Sequence, residues 1–379
     1  MKILLVGEYN RTHWNLKKAL QTMGHQVTVI GFRDGFKKVD VDIELKDTLN
    51  SKFLKKLRVI TYRILKIDLL SFSIKRQIKK NKEVLSNCDI VQFLNETPFY
   101  IDKKSQLKPL NWLTNWNKKS FLISTGIDYI SVSYAYNKKF RYSILTPYFE
   151  GKVNEKDFEI ILDYKSKTQK RISDFMIDKC YGIISKDLDY HIPLLGHPKY
   201  LGMIPHSIDL NLLEYKTPIA EGKIVIFHGI NTTNYYKKGN DLFEAALNKI
   251  SNKFEDKVEI LTCKDLPYET YIKSFDKAHI LLDQVYAYDQ GFNALEAMAK
   301  GKVVFTGAEK EWLDYYKIEE DTIAINALPN VDKIVEKLEW LILNPDKIIS
   351  ISKNARAFVE KHHNHINCAK QYLEFWTKA

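Results

Sequence analysis

The chain has 379 residues, 45% of them apolar, which suits two α/β domains of about 150–200 residues with well-packed cores. Its net charge of +11 fits phosphorylated, membrane or nucleic-acid partners, but no recognised nucleic-acid motif accompanies it, so nucleic acid is set aside. No run of eighteen apolar residues is present to span a membrane, and four scattered cysteines without a CxxC pair exclude a zinc-finger pattern and fit free thiols in a reducing cytoplasm.

Lys2–Val6 is a short apolar run ending at Gly7 and reads as a first buried strand, not as a secretory signal. Thr12 is placed to cap a helix whose apolar positions are Trp14, Leu16, Ala19, Leu20 and Met23; Gly24 ends it and Val27–Ile30 starts a second strand. Such an opening belongs to a doubly wound α/β domain, which binds ligands at the carboxyl ends of its strands. The loop there, GEYNRTH, is not GxGxxG, which disfavours a dinucleotide cofactor. Glu8, Arg11 and His13 are its candidate acceptor contacts, and a solvated polar loop explains each of them equally well.

Between Lys52 and Lys82 the chain carries eleven Lys or Arg residues and one acid, Asp68. Phe53, Leu57, Ile60, Ile64 and Ile67 recur at helical spacing beside those charges. Two readings fit: an interfacial helix pair drawn to an anionic membrane surface, or a stripe packed on the protein's own sheet with solvated lysines. Asp89–Leu94 and Lys119–Thr125 are further strands, the second leading into Gly126-Ile127-Asp128, where Asp128 is either a cleft residue or a turn and helix-cap aspartate. Tyr134–Tyr148 is rich in tyrosine and basic residues, a composition suited to a sugar or lipid-phosphate surface. Ile160–Met176 reads as one long polar helix, and Cys180–Ser185 as a strand.

Asn211–Gly222 is polar, contains Pro218 and Gly222, and reads as a linker between domains. Lys223–Phe227 opens the second domain, with His228-Gly229 at its carboxyl end, followed by Lys237-Lys238-Gly239 before a helix. Ile280–Leu282 and Val303–Phe305 flank a helix that begins near Gly291 and stops at Gly301, a βαβ unit. The first turn, Gly291-Phe292-Asn293, offers free backbone N–H groups at the positive end of a helix, which attract phosphate; Glu296, one turn in, suits ribose hydroxyls. An ordinary βαβ unit with a surface glutamate explains the same pattern. The tail from Ser350 to Trp376 reads as helical, and its HHxH (His362, His363, His365) reads as a solvated helix end rather than a metal site.

The segment GFNALEAMAKGKVVFTG resembles the donor-site motif of retaining GT-B glycosyltransferases of the family-4 type. Ile204-Pro205-His206-Ser207-Ile208-Asp209 resembles the family's "IPNGID" close of the first domain, so the resemblance spans both domains. It implies a GT-B fold: Rossmann-like domains over residues 1–210 (acceptor side) and 211–355 (donor side), with a last helix over 356–379 returning to the first domain. Glu296 matches the second of the family's two carboxylates; the first is replaced by Tyr288, with Asp289 beside it. Lys238 matches the lysine that neutralises the leaving diphosphate, and Lys237 stands in for an arginine the chain lacks between His228 and Lys238. The glycine-x-aspartate match puts Asp128 in the cleft. The resemblance thus implies Lys238, Glu296 and Asp128 as catalytic residues. The donor would be held by His228, Gly229, Lys237, Lys238, Asp289, Gly291, Phe292, Asn293 and Glu296. No metal and no cofactor are expected; the implied partners are a UDP- or GDP-linked sugar and a saccharide or lipid-linked acceptor. The expected place is the cytoplasm, peripheral at the inner face of a bacterial membrane, in surface polysaccharide synthesis. A GT-B-fold sugar-nucleotide epimerase or hydrolase, or a non-catalytic sugar-nucleotide or glycan binder, is the alternative.

Overall fold

The computed structural model describes residues 1–33, 39–218, 222–266 and 268–379, so residues 219–221 of the expected linker lie outside the described residues. The first domain holds β1 (Lys2–Val6), β2 (Gln26–Gly31), β3 (Ile43–Glu44), β4 (Ile90–Leu94), β5 (Lys119–Ser124), β6 (Gly182–Ser185) and β7 (Tyr200–Met203). They form one parallel sheet in the order β3-β2-β1-β4-β5-β6-β7. The second domain holds β8 (Ile224–Ile230), β9 (Val258–Lys264), β10 (Ile280–Leu282), β11 (Val303–Thr306) and β12 (Ile325–Asn326), parallel in the order β12-β11-β10-β8-β9.

The continuous apolar runs that mark these strands follow from burial on both faces. In β1, Leu4 and Val6 face one core with Val91, Ile74, Ile78 and Leu110, while Ile3 and Leu5 face another with Leu16, Ala19 and Leu20. The final helix, His365–Lys378, supplies Cys368, Ala369, Tyr372 and Trp376 to that second face. In both sheets strand order reverses next to the central strand, between β1 and β4 and between β8 and β10, and each reversal leaves a crevice at the carboxyl ends.

Several local expectations change. Thr12 is the first helical residue, and Arg11 occupies the cap position at φ 62 with no capping side chain. The expected helix over Ile160–Met176 breaks into Glu159–Leu162, a 3-10 turn at Asp163–Lys165 and Lys167–Lys179. Ser166 is extended (ψ 153) and its side chain accepts from Gln169 N–H, so a good N-cap restarts the helix. The tail is two helices, Pro345–His362 and His365–Lys378, parted at His363-Asn364.

That break corrects the reading of the histidines. His363 and His365 are buried. His363 Nδ1 lies 2.8 Å from the His206 carbonyl, Ile208 N–H donates to the His363 carbonyl at 2.7 Å, and His365 N–H donates to the Ile208 carbonyl at 3.1 Å. The returning tail is therefore stitched to the segment that closes the first domain. Burial lowers the His363 pKa to about 3, so the ring is neutral.

Candidate active site

The two reversals face each other across a cavity of about 510 Å³. Gly7, Glu8, Leu94 and Asn95, at the ends of β1 and β4, line one side; Lys237, Lys238, Gln284 and Gly291 line the other. Tyr9 and Tyr100 stand exposed on the first-domain rim, Tyr100 with its ring 4.7 Å from that of Phe32.

On the second-domain wall, the helix Phe292–Ala299 starts at Gly291 with no side-chain cap hydrogen bond, and its positive end lies at the cavity, where Gly291 and Phe292 are lining residues. Lys238 Nζ donates to Asp283 Oδ1 at 2.9 Å, and Asn293 Nδ2 donates to the same oxygen at 3.2 Å. Asp283, at the end of β10, thus sets both the cation and the side chain beside the helix start. The sequence motif did not mark it; the aspartate closing the LLD run was its only signal. Lys237 lines the same cavity, and burial lowers its pKa. Gly239, at φ 72 and with a Cβ position only 2.7 Å from Val285, gives the turn that carries both lysines.

Glu296 lies on the same helix and meets Arg11 of the first domain, Nη1 to Oε1 at 3.7 Å. Arg11 thus crosses from the acceptor-side loop to the donor-side carboxylate. Asp289 and Phe292 line the cavity as well.

Seven expected contacts do not line the cavity: Arg11, Asn293 and Glu296, placed above, and His13, Asp128, His228 and Gly229. His13 is 0% exposed; its Nδ1 bonds the Gly7 carbonyl at 2.6 Å and its Nε2 lies 3.3 Å from Gln92 Nε2, while Gln92 Oε1 accepts from Trp376 Nε1 at 3.2 Å. One neutral tautomer satisfies the whole chain, and burial holds the His13 pKa down at about 3. His13 joins the first strand to the last helix and does not face the cavity. His228 is likewise fully buried, bonded through Nε2 to Asn240 Oδ1 at 2.8 Å, with a pKa lowered by burial. At Gly229 an added Cβ would sit 2.7 Å from the Tyr271 ring, so close packing accounts for this glycine.

Asp128 is buried and caps the helix Tyr129–Tyr136: Oδ1 accepts Ser131 N–H at 2.7 Å, and Oδ2 accepts the Ser124 hydroxyl. Burial raises its pKa. The cavity is lined by its neighbours Gly126, Ile127 and Ser131. Glu8 does reach the cavity, with Oε2 accepting Trp14 N–H at 2.7 Å.

Sequence reading missed a carboxylate trio at the domain junction. Asp187, Asp189 and Asp289 have oxygen atoms within 4.8 Å of one another. Asp289 Oδ2 accepts Leu188 N–H at 2.9 Å, so a second-domain residue caps a first-domain helix, and Asp189 Oδ2 accepts Tyr288 N–H at 3.3 Å. Burial raises all three, with repulsion from Asp187 adding at Asp189 and from Asp187 and Asp189 at Asp289; Asp187 is pushed up to about 7. Carboxyls raised in this way take up protons more readily than exposed ones, and a protonated carboxyl donates a hydrogen bond as well as accepting one. Asp187 and Asp189 sit two residues apart in an ordinary helix start, which gives no motif to read.

The tyrosine-rich segment Tyr134–Tyr148 docks on the second domain, while its Ala135, Phe140, Ser143, Ile144 and Leu145 line the cavity. Arg141 bridges Glu309 at 2.5 Å and Glu311 at 2.6 Å, its N–H donates to the Tyr288 hydroxyl at 2.9 Å, and the Tyr142 hydroxyl donates to Glu309. Tyr288, standing where the related motif has its first carboxylate, is a packing residue between Phe140 and Tyr142.

Residues 238–374 match the family described as glycosyl transferase-like. No curated protein sequence matches the chain. Among solved structures, sucrose-phosphate synthase from Thermosynechococcus elongatus is similar with a TM-score of 0.63 at 12% identity, over 100% of this chain and 99% of that one. Anabaena HepE in complex with UDP and glucose is similar with a TM-score of 0.57 at 12% identity, over 100% of both chains. A glycosyltransferase from Rickettsia africae is similar with a TM-score of 0.55 at 15% identity, over 99% of this chain and 97% of that one. The chain thus shares the GT-B fold of these structures, two facing parallel-sheet domains, and its residues 238–374 resemble the glycosyl transferase-like family.

Proposed function

We propose that the protein transfers a sugar, with retention of configuration, from a UDP- or GDP-linked donor to a saccharide or lipid-linked acceptor. The work belongs to bacterial surface polysaccharide synthesis, in the cytoplasm at the inner face of the membrane, and needs no metal. One observation carries the donor half of this reading: Lys238, Lys237 and the uncapped start of helix Phe292–Ala299 converge on one cavity at the β8/β10 reversal. The departing diphosphate gains negative charge as the glycosidic bond breaks, and an ammonium held by Asp283 beside oriented amides stabilises that charge without reorganising. Glu296 takes the ribose hydroxyls. The acceptor hydroxyl enters past Glu8, Tyr9 and Tyr100 and attacks from the leaving-group side. The UDP and glucose complex of HepE, of the same fold, favours UDP as the carrier.

The test is a thermal-shift panel of UDP, GDP and their sugars, with and without Mg²⁺. A ligand at 100 times its Kd adds about 2.7 kcal/mol of stability. A selective shift independent of metal supports the donor site and names the base; no shift with any nucleotide removes it. Rapid turnover of donor alone would identify a sugar-nucleotide epimerase or hydrolase instead.

A further inference from the structure

The helix Lys52–Leu65 has no buried residue. Leu54, Arg58 and Thr61 turn toward the protein, Arg58 pairing with Asp47 at 2.6 Å. Phe53, Leu57, Ile60 and Ile64 fall on one stripe at spacings of four, three and four, and they are 75%, 42%, 53% and 73% exposed. The stripe is therefore not packed on the protein's own sheet. Lys52, Lys56 and Arg63 flank it, placed so that their stems lie along an apolar surface while their charges stay in water. The following helix, Leu69–Lys80, adds exposed Phe72 together with Arg76, Lys79 and Lys80. No helix among the described residues is long and apolar enough to cross a membrane, so this surface can lie on a bilayer but not span it.

From this geometry we infer that the outer stripe of Lys52–Leu65 docks the protein on an anionic lipid surface, with Phe53, Leu57, Ile60 and Ile64 in the acyl boundary and the basic flank on the headgroups. Charge decides the occupant. Residues 52–82 carry eleven basic side chains and one acidic one, so a second copy of this face would meet its own positive charge, whereas an anionic leaflet neutralises it. The docking places the site: Tyr62 hydroxyl donates to Asp102 Oδ2 at 3.1 Å, and Asp102 N–H donates to Asp68 Oδ2 at 2.9 Å. Asp102 ends the loop whose Thr97, Pro98 and Tyr100 line the cavity. The acceptor wall of the cleft therefore sits next to the membrane contact, as a lipid-linked acceptor requires. This last step rests on the transferase reading; the lipid contact itself does not.

The experiment is sedimentation of the full chain with phosphatidylcholine vesicles, with and without phosphatidylglycerol, at low and high salt. The double variant Phe53→Ser, Ile64→Ser is run beside it, with the same samples tested for UDP- and GDP-induced thermal shifts. The inference expects binding only to the anionic vesicles, release by salt, and at least about a tenfold loss of affinity in the variant at unchanged melting temperature. It is overturned by no binding to anionic vesicles at low salt, by equal binding of the variant, or by a concentration-dependent dimer that the two substitutions abolish. Vesicle binding without any nucleotide shift sinks the donor site alone; a nucleotide shift without vesicle binding sinks the docking face alone.

Discussion

The two walls of the cleft are built on different terms. On the second-domain wall, Asp283 joins Lys238 of the turn after β8 to Asn293 of the helix after β10, and Lys238, Lys237 and Gly291 remain on the cavity. On the first-domain wall, His13 and Asp128 are used up by architecture: one links β1 to the last helix through Gln92, the other caps a helix. What reaches the cavity there is Glu8, the carboxylates Asp187 and Asp189, His206, small polar side chains such as Asn95, Thr97 and Ser131, and the aromatic rims. A charged leaving group needs fixed groups of one sign, whereas an acceptor needs shape and hydroxyl partners, and the walls divide accordingly.

The sharpest break of this comparison is Lys238→Ala. The donor wall predicts a fall in turnover of about 100- to 1,000-fold, with the melting temperature nearly unchanged because Lys238 is part-exposed. Turnover within a few-fold of the parent would take the lysine out of the mechanism. His13→Ala should do the reverse. Loss of its buried bonds and the void it leaves should cost about 2–4 kcal/mol in urea unfolding, with nucleotide affinity kept by the folded fraction. A kinetic defect at full stability would return His13 to the acceptor set.

The junction between the walls gives a smaller, pH-dependent effect. Asp187 has a folded pKa near 7 against an ordinary value of 3.8. Its folded value is raised, so its contribution to stability is complete below about 3.8 and is lost as pH rises through about 7. Asp187→Asn should therefore flatten the fall in stability across that window, by on the order of 1–2 kcal/mol because three carboxyls share the titration. Parallel stability curves for parent and variant would remove the trio from the pH response. Smallest is Arg141→Ala: half-exposed, its ion pairs should contribute about 1 kcal/mol or less, and the change should show as a broader distribution of domain separations in solution X-ray scattering. An unchanged scattering curve would mean that Tyr142 and Glu309 hold the walls together without it.

The same contrast governs what the sequence disclosed. Both sheets, the Gly291 helix start and the Lys238 turn are written in local runs, where apolar strands and glycines carry strong signals. The Lys238–Asp283, Leu188–Asp289 and Arg141–Glu311 pairings are 45 to 170 positions apart, and nothing in a single chain marks such partners. His13 and Asp128 read as ligands because polar residues at strand ends do so in general; only burial showed otherwise. The stripe over 52–67 was visible as a pattern, but whether it faced the protein or the solvent depended on packing.

The chain passes between the two domains twice, once after Ile208 and once at His363-Asn364, and those two passages are paired side by side through Ile208. A turn of one domain against the other would bend both passages at that one place, and it would strain the Arg141, Asp289–Leu188, Arg11–Glu296 and Lys152–Asp241 contacts together.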